Sequence, residues 1–274
     1  NDATGAAFLA AVIAGVEVEC RLDAIMNPGH YAAGFHATGT LGAFGAASAA
    51  AHLLALDEDR WCHALALAGT QAAGLKSGFG TMAKPLHAGR AAANGLLAAL
   101  LARGGFTGAA DIVEADQGFA MTHAVRSPDA SRLDPLRGRF LITDTLFKYH
   151  ASCYLTHAAV EAATRLRAGA DLRADDVASV TIHGSAGCVG VCDISEPETG
   201  LQGKFSLRAT TAMALLGDAT SDPAAFSDQR MRDPAFAAMR DRITFTPITE
   251  LPPTRAMVTV QTAAGATLTE EADT

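Results

Sequence analysis

Apolar side chains along the first hundred residues recur every three to four positions, the spacing of α-helices with one buried face. The blocks run over residues 6–23, 38–56, 58–76 and 87–103. Asp57 is placed to cap the third block, and Glu58 and Asp59 fall in its first turn, where acidic groups meet the positive end of the helix dipole. Gly104-Gly105 ends the fourth block, because glycine takes the left-handed backbone that closes a helix. The second block carries Gly42, Gly45, Ala46, Ser48 and Ala49, side chains small enough to let a neighbouring helix approach closely.

After about Pro135 the period changes. Residues 139–147 predict an extended run, 153–166 a helix, 177–183 an alternating strand and 205–216 another helix. Two short alternating runs within 257–268, around Ala263-Ala264-Gly265, predict a hairpin. The pattern therefore divides the chain into a helical domain, 1–135, and a smaller α+β domain, 136–274, with the boundary in the charged, proline-containing stretch 127–139. There is no internal repeat.

Composition bounds the function. The chain has 274 residues, 49% of them apolar and 18% charged, which is ample for a buried core. A net charge of -8 argues against a nucleic-acid partner, which needs a basic face. It leaves room for a small anion, since a few local lysines outweigh the global sign inside a cleft. Five scattered cysteines (Cys20, Cys62, Cys153, Cys188 and Cys192) predict reduced thiols in a cytoplasmic protein, and no pair of Cys or His pairs has zinc-site spacing. No apolar run is long enough to span a bilayer. The chain opens at Asn1 without a start methionine and stops just after a strand-like segment, so an excerpt of a longer product is expected.

Four polar clusters interrupt this background: residues 27–40, 74–89, 147–157 and 203–207. His36 lies just ahead of a helix start, where backbone N–H groups favour an anion. Lys84 sits between a glycine-rich loop and another helix N-terminus, with Pro85 expected as the first helical residue. Histidine and lysine together suit removal of a proton from carbon next to a carboxylate, one group taking the proton and cations holding the developing charge. Each has a plainer reading: His36 as a cap, Lys84 as a solvated cation, Lys148 as a side chain snorkelling from a sheet face, Thr38 and Thr40 as caps. Gly78-Phe79-Gly80 lacks phosphate-loop spacing, and there is no G-x-S-x-G elbow.

The order of these clusters resembles the MmgE/PrpD family. It is carried by Gly34-Phe35-His36-Ala37-Thr38-Gly39-Thr40, by Gly74-Leu75 and Lys84-Pro85-Leu86-His87-Ala88-Gly89, by Gly104-Gly105-Phe106-Thr107-Gly108 and Gln117-Gly118-Phe119, and by Phe147-Lys148 and Lys204-Phe205-Ser206-Leu207. The resemblance implies an all-helical domain, a smaller α/β-sandwich-like domain, a cleft between them, and a homodimer. It also implies a cofactor-independent lyase or isomerase acting on a small di- or tricarboxylate. 2-Methylcitrate dehydratase-like chemistry comes first; iminodisuccinate epimerase-like chemistry, or a truncated non-catalytic binding or oligomerisation module, are the alternatives. By position, His36, Lys84, Lys148, Cys153 and His157 match the catalytic set, with Cys153 where some members place a histidine. His30, Thr38, Lys84, His87 and Lys148 form the set expected to bind carboxylates. Segments that the family carries before and after these motifs are expected to complete the site.

Overall fold

The computed structural model describes residues 3–124 and 128–274; Asn1, and Ser127 at the opening of the expected boundary stretch, lie outside the described residues. The chain forms two compact units, one of Asn1–Gly78 with Met82–Leu146 and one of Phe79–Thr81 with Phe147–Thr274.

The first unit is helical. Its long elements are α1 (Gly5–Met26), α2 (Ala37–Leu53), α3 (Glu58–Gly69) and α4 (Ala83–Arg103). Asp57 does cap α3, accepting from the Arg60 N–H at 2.9 Å. The small-residue face of α2 is the packing hub: a side chain added at Gly95 of α4 would fall 2.5 Å from Ala46 Cβ, and one at Gly15 of α1 would fall 2.8 Å from the Gly45 carbonyl. Backbone thus meets backbone, and Ala43, Ala47, Ala91 and Ala98 fill the contact with no exposed surface worth counting. Phe44, Phe119, Leu41 and Met26 form a second apolar knot beneath it.

Several expectations are corrected here. The third helix stops at Gly69 rather than running to residue 76, because the following segment turns to pair with Gly34–His36: His36 N–H donates to the Gly74 carbonyl at 3.0 Å and Lys76 N–H to Gly34 at 2.8 Å. Helix α4 begins at Ala83, so Pro85 is its third residue rather than its first. That position is tolerated because none of the first four N–H groups of a helix has an acceptor within it. Residues 139–147 are not extended; they hold a short 3-10 turn, Leu141–Asp144. This run has no strand to pair with and is strapped to α1 instead. Arg21 donates to the Leu136 and Arg139 carbonyls, at 3.3 and 2.8 Å, while the Glu17 carboxylate accepts from Ile142 N–H at 3.0 Å.

The second unit is α+β. Helix α5 (His157–Gly169) follows a 3-10 turn, then come strand β1 (Val177–Ser185), helix α6 (Leu207–Leu216), helix α7 (Pro234–Arg240), and strands β2 (Ile243–Ile248), β3 (Arg255–Thr262) and β4 (Thr267–Asp273). The sheet order is β2-β1-β3-β4, with β1 and β2 parallel and the other pairs antiparallel. Val177, Val180 and Ile182 of β1 and Ala256, Val258 and Val260 of β3 point to one face, where α5 and α6 cover them. The hairpin of β3 and β4 turns through Gly265 at φ 87° as expected. Strand β2 went unrecognised in the sequence. It is an edge strand carrying Pro247, a residue that reads against a strand but is tolerated where one side of the ladder is open.

The fold is therefore the expected pairing of a helical part with a smaller α+β part. Among the described residues no helix is long and apolar enough to cross a membrane.

Candidate functional site

The first unit gathers three of the expected residues around the start of α4. His36 is the N-cap residue of α2, with no capping bond from its side chain. His87 lies on the first turns of α4, and the two imidazoles meet Nδ1 to Nδ1 at 3.0 Å. Glycines permit the approach: a Cβ on Gly39 would fall 2.6 Å from the Ala73 carbonyl and 3.1 Å from His87 Cβ, and one on Gly74 would fall 3.4 Å from His87 Cγ. A bond between two Nδ1 atoms requires one N–H and one lone pair, so the two rings share a single proton there.

His36 is 6% exposed, and it is held neutral. Burial first, then the charge of Lys84 and then that of His87 push it down to about 4 from an ordinary value of 6.5. Lys84, partly buried, is thus close enough to His36 to act on it electrostatically.

His87, and not His36, opens onto a pocket of about 470 Å³. Its polar lining is Gln71, Ser77, His87, Arg90 and Asn94, with Leu75 and Leu86 on the apolar side. Arg90 and Asn94 lie three and seven residues beyond His87 and so share its face of α4. Asn94 is fixed by donating to the Gln71 carbonyl at 3.0 Å. An imidazole, a guanidinium and two carboxamides around one cavity can hold and protonate a small anion. Arg90, Asn94 and Gln71 were missed from the sequence. For Arg90 and Asn94 the only signal was their i+3 and i+7 spacing from His87 on one helix; Gln71, just past the end of α3, had none.

His30 is corrected. It is fully buried, and both ring nitrogens are used: Nδ1 lies 2.8 Å from the His123 carbonyl and Nε2 lies 2.8 Å from Thr40 Oγ1. A carbonyl only accepts, so the ring is the Nδ1–H tautomer and the Thr40 hydroxyl donates to Nε2. Burial holds the ring below its ordinary value. Stacked on Phe35 at 4.9 Å, His30 has no nitrogen for a ligand and fixes the segment that carries His36. Thr38 faces elsewhere, onto a pocket of about 250 Å³ with Glu19, Cys20 and Asp23. Both carboxylates there are pushed up by burial, and the Cys20 thiol to about 11, so the surroundings disfavour anions.

The second unit holds Lys148, Cys153 and His157. Lys148 is exposed and donates to the Ser152 carbonyl at 3.1 Å. Cys153 donates its backbone N–H to Lys204 at 2.8 Å, and its thiol adjoins that of Cys192. Contacts with the Cys153 and Cys188 thiols, ahead of burial itself, push Cys192 far above the usual thiol range. None of the five cysteines is joined in a disulfide.

His157 is 1% exposed and makes no hydrogen bond of good geometry at either ring nitrogen. It packs edge-on to His150 at 4.9 Å. His150 is itself held by Glu161 Oε1 at 3.0 Å and Thr220 Oγ1 at 2.8 Å. Burial, then His150 and Lys148, push His157 down to about 4, only partly offset by the nearby carbonyls of His150 and Ser152. These rings line a pocket of about 230 Å³ with Tyr149, Glu161, Arg165 and Thr274. No group of three or more His, Cys, Asp or Glu suited to a metal ion occurs among the described residues.

Comparison with known proteins gives the wider frame. Residues 1–129 match the MmgE/PrpD N-terminal domain, and residues 150–274 match the MmgE/PrpD C-terminal domain. The chain is 33% identical over 126 residues to a human cis-aconitate decarboxylase, a stretch that makes up 46% of this chain and 26% of that protein. It is 32% identical over 166 residues to the mouse cis-aconitate decarboxylase (60% and 34%) and 36% identical over 142 residues to that of Aspergillus terreus (49% and 29%). The matched stretches thus span about a third or less of those relatives. With both of its domains matched across nearly the whole sequence, the chain belongs to the MmgE/PrpD family.

Proposed function

We propose that this chain supplies the core of a lyase that takes up a small tricarboxylate and moves a proton at carbon next to a carboxylate. The observation that carries the reading is the imidazole pair of His36 and His87, with Lys84 acting on His36 and with His87 opening onto a pocket that also holds Arg90. Cationic groups at the start of α4 hold carboxylates, adding to the positive end of its dipole. A neutral imidazole beside them accepts the proton and returns it later, while the cations offset the charge that develops on the carbanion. Lys148, Cys153 and His157, on the second unit, are proposed as further catalytic groups, with Lys148 also binding carboxylate. The names of the relatives favour cis-aconitate as the first substrate to try and decarboxylation as the first reaction. Dehydration of 2-methylcitrate and epimerisation of iminodisuccinate follow. A homodimer in the cytoplasm is the assembly and location we expect.

The test is proton NMR in deuterium oxide on protein expressed from its complete reading frame. The panel is cis-aconitate, citrate, 2-methylcitrate, and iminodisuccinate formed in situ. One substrate should lose a proton signal or convert, and Lys84→Ala should abolish both turnover and binding while the circular dichroism spectrum is unchanged. Full activity in Lys84→Ala would remove Lys84 from the site, and inertness of the wild-type protein toward the whole panel would overturn the reading.

A further inference from the structure

The sequence places the proton chemistry on His36, but the geometry points to a different division of labour: we infer that His87 is the group that exchanges a proton with the ligand, and that His36 is a positioning residue that sets its tautomer. The inference rests on the proposed function above and deepens it.

Access comes first. His87 lines the 470 Å³ pocket together with Arg90 and Asn94, whereas His36 lies behind it and contributes nothing to the lining. His87 has its Nδ1 engaged by His36, which leaves Nε2 for the pocket; no hydrogen bond occupies that atom among the described residues. His36 is also firmly anchored by its backbone. Its N–H donates to Gly74 at 3.0 Å, its carbonyl accepts from Gly39 N–H at 2.8 Å, and its flanking Phe35 is stacked on the buried His30.

The chemistry then follows from one shared proton. His36 resists becoming a cation, since it is buried and Lys84 is near. It therefore serves His87 as a neutral acceptor. When His87 carries the proton on Nδ1 and donates it to His36 Nδ1, the His87 Nε2 lone pair faces the pocket and is a base. It takes the proton of a carbon next to a carboxylate: the C–H bond breaks, an N–H bond forms, and the electron pair stays on carbon, delocalised into the carboxylate. The resulting His87 imidazolium keeps its Nδ1–H bond to His36 and returns the Nε2 proton to carbon, which completes an exchange or epimerisation. A decarboxylation uses only this second half, the imidazolium drawing its proton from solvent and giving it to the carbon that has lost carbon dioxide. Charge and protons balance without any reactant besides water. In the opposite tautomer His36 donates, and His87 presents Nε2–H to the pocket as an acid. Arg90, on the same face of α4, pairs with the carboxylate that becomes more negative as the proton leaves.

Three variants separate the roles in the complete protein, each compared with wild type for proton exchange of the active substrate and for binding by chemical-shift titration. His87→Gln should lower exchange by roughly 100- to 10,000-fold, the span of a general acid or base, with binding changed only a few-fold. His36→Leu removes the acceptor and should lower exchange by about 100-fold without weakening binding. His36→Asn offers a side-chain oxygen to the His87 Nδ1–H and should recover much of that loss, which a merely structural role for His36 would not produce. In the ligand-free protein, nitrogen-15 spectra should show one proton bridging the two Nδ1 atoms. Wild-type exchange retained in His87→Gln, or equal losses in His36→Leu and His36→Asn, would overturn the assignment while leaving the reaction class standing. Absence of any exchange by wild-type protein would overturn the reaction class, and the role of His87 with it.

Discussion

Replacing His157 by leucine exposes what it costs this fold to bury an imidazole. His157 is 1% exposed, without a well-formed hydrogen bond at either ring nitrogen, and held down to about 4. The unfolded chain titrates near the ordinary 6.5, so between pH 6.5 and 4 it binds more protons than the folded one. Stability on this account is complete above pH 6.5 and is lost as pH falls through that window. Taking those two values, lowering the pH from 7.5 to 5 costs the wild type about 2 kcal/mol from this one ring. Leucine cannot titrate and bears none of that cost. At pH 7.5 the variant should be the less stable, by about 1–2 kcal/mol, through imperfect packing and loss of weak contacts with the His150 and Ser152 carbonyls. At pH 5 the gap should close or reverse. The assay is urea unfolding followed by circular dichroism at both pH values, and the quantity read is the change in the difference between the proteins, from which the packing cost cancels. Glu19 and Asp23, whose carboxyls are pushed up, titrate in both proteins and cancel as well. Parallel loss of stability in wild type and variant would refute the idea that His157 is neutral and buried.

Two glycine substitutions test the packing. Gly95→Ala puts a methyl 2.5 Å from Ala46 Cβ and from the Ala47 nitrogen, and should destabilise the helical unit by about 1–3 kcal/mol in thermal unfolding. A gain of about 1 kcal/mol, the usual helix benefit of alanine over glycine, would show instead that α2 and α4 move apart freely. Gly39→Ala, whose methyl would lie 2.6 Å from the Ala73 carbonyl and 3.1 Å from His87 Cβ, should separate the two imidazoles, broadening or splitting the bridging proton signal. An unchanged signal would mean that the loop at 73–74 gives way rather than His87.

Periodicity was enough to find the helical half, because a helix that buries one face must repeat its apolar residues every three to four positions. Local chemistry marked the Asp57 cap, the Gly104-Gly105 stop and the Gly265 hairpin, each of which depends on side chains within a few residues of one another. The order of short motifs pointed to the family. What the sequence left open depends on partners far along the chain. Residues 139–147 have the composition of a strand, but a strand exists only where another offers its ladder, and here the polar backbone is satisfied by Arg21 and Glu17 of a helix more than a hundred residues earlier. Strand β2 forms despite Pro247 because only one of its sides is paired. His30 and His36 look alike in sequence, yet Thr40 and the His123 carbonyl consume both nitrogens of one, while the other meets a ring 51 positions away. Helices were legible because their hydrogen bonds are local; the state of each histidine was decided only by tertiary packing, since burial and a distant neighbour fix where its proton sits.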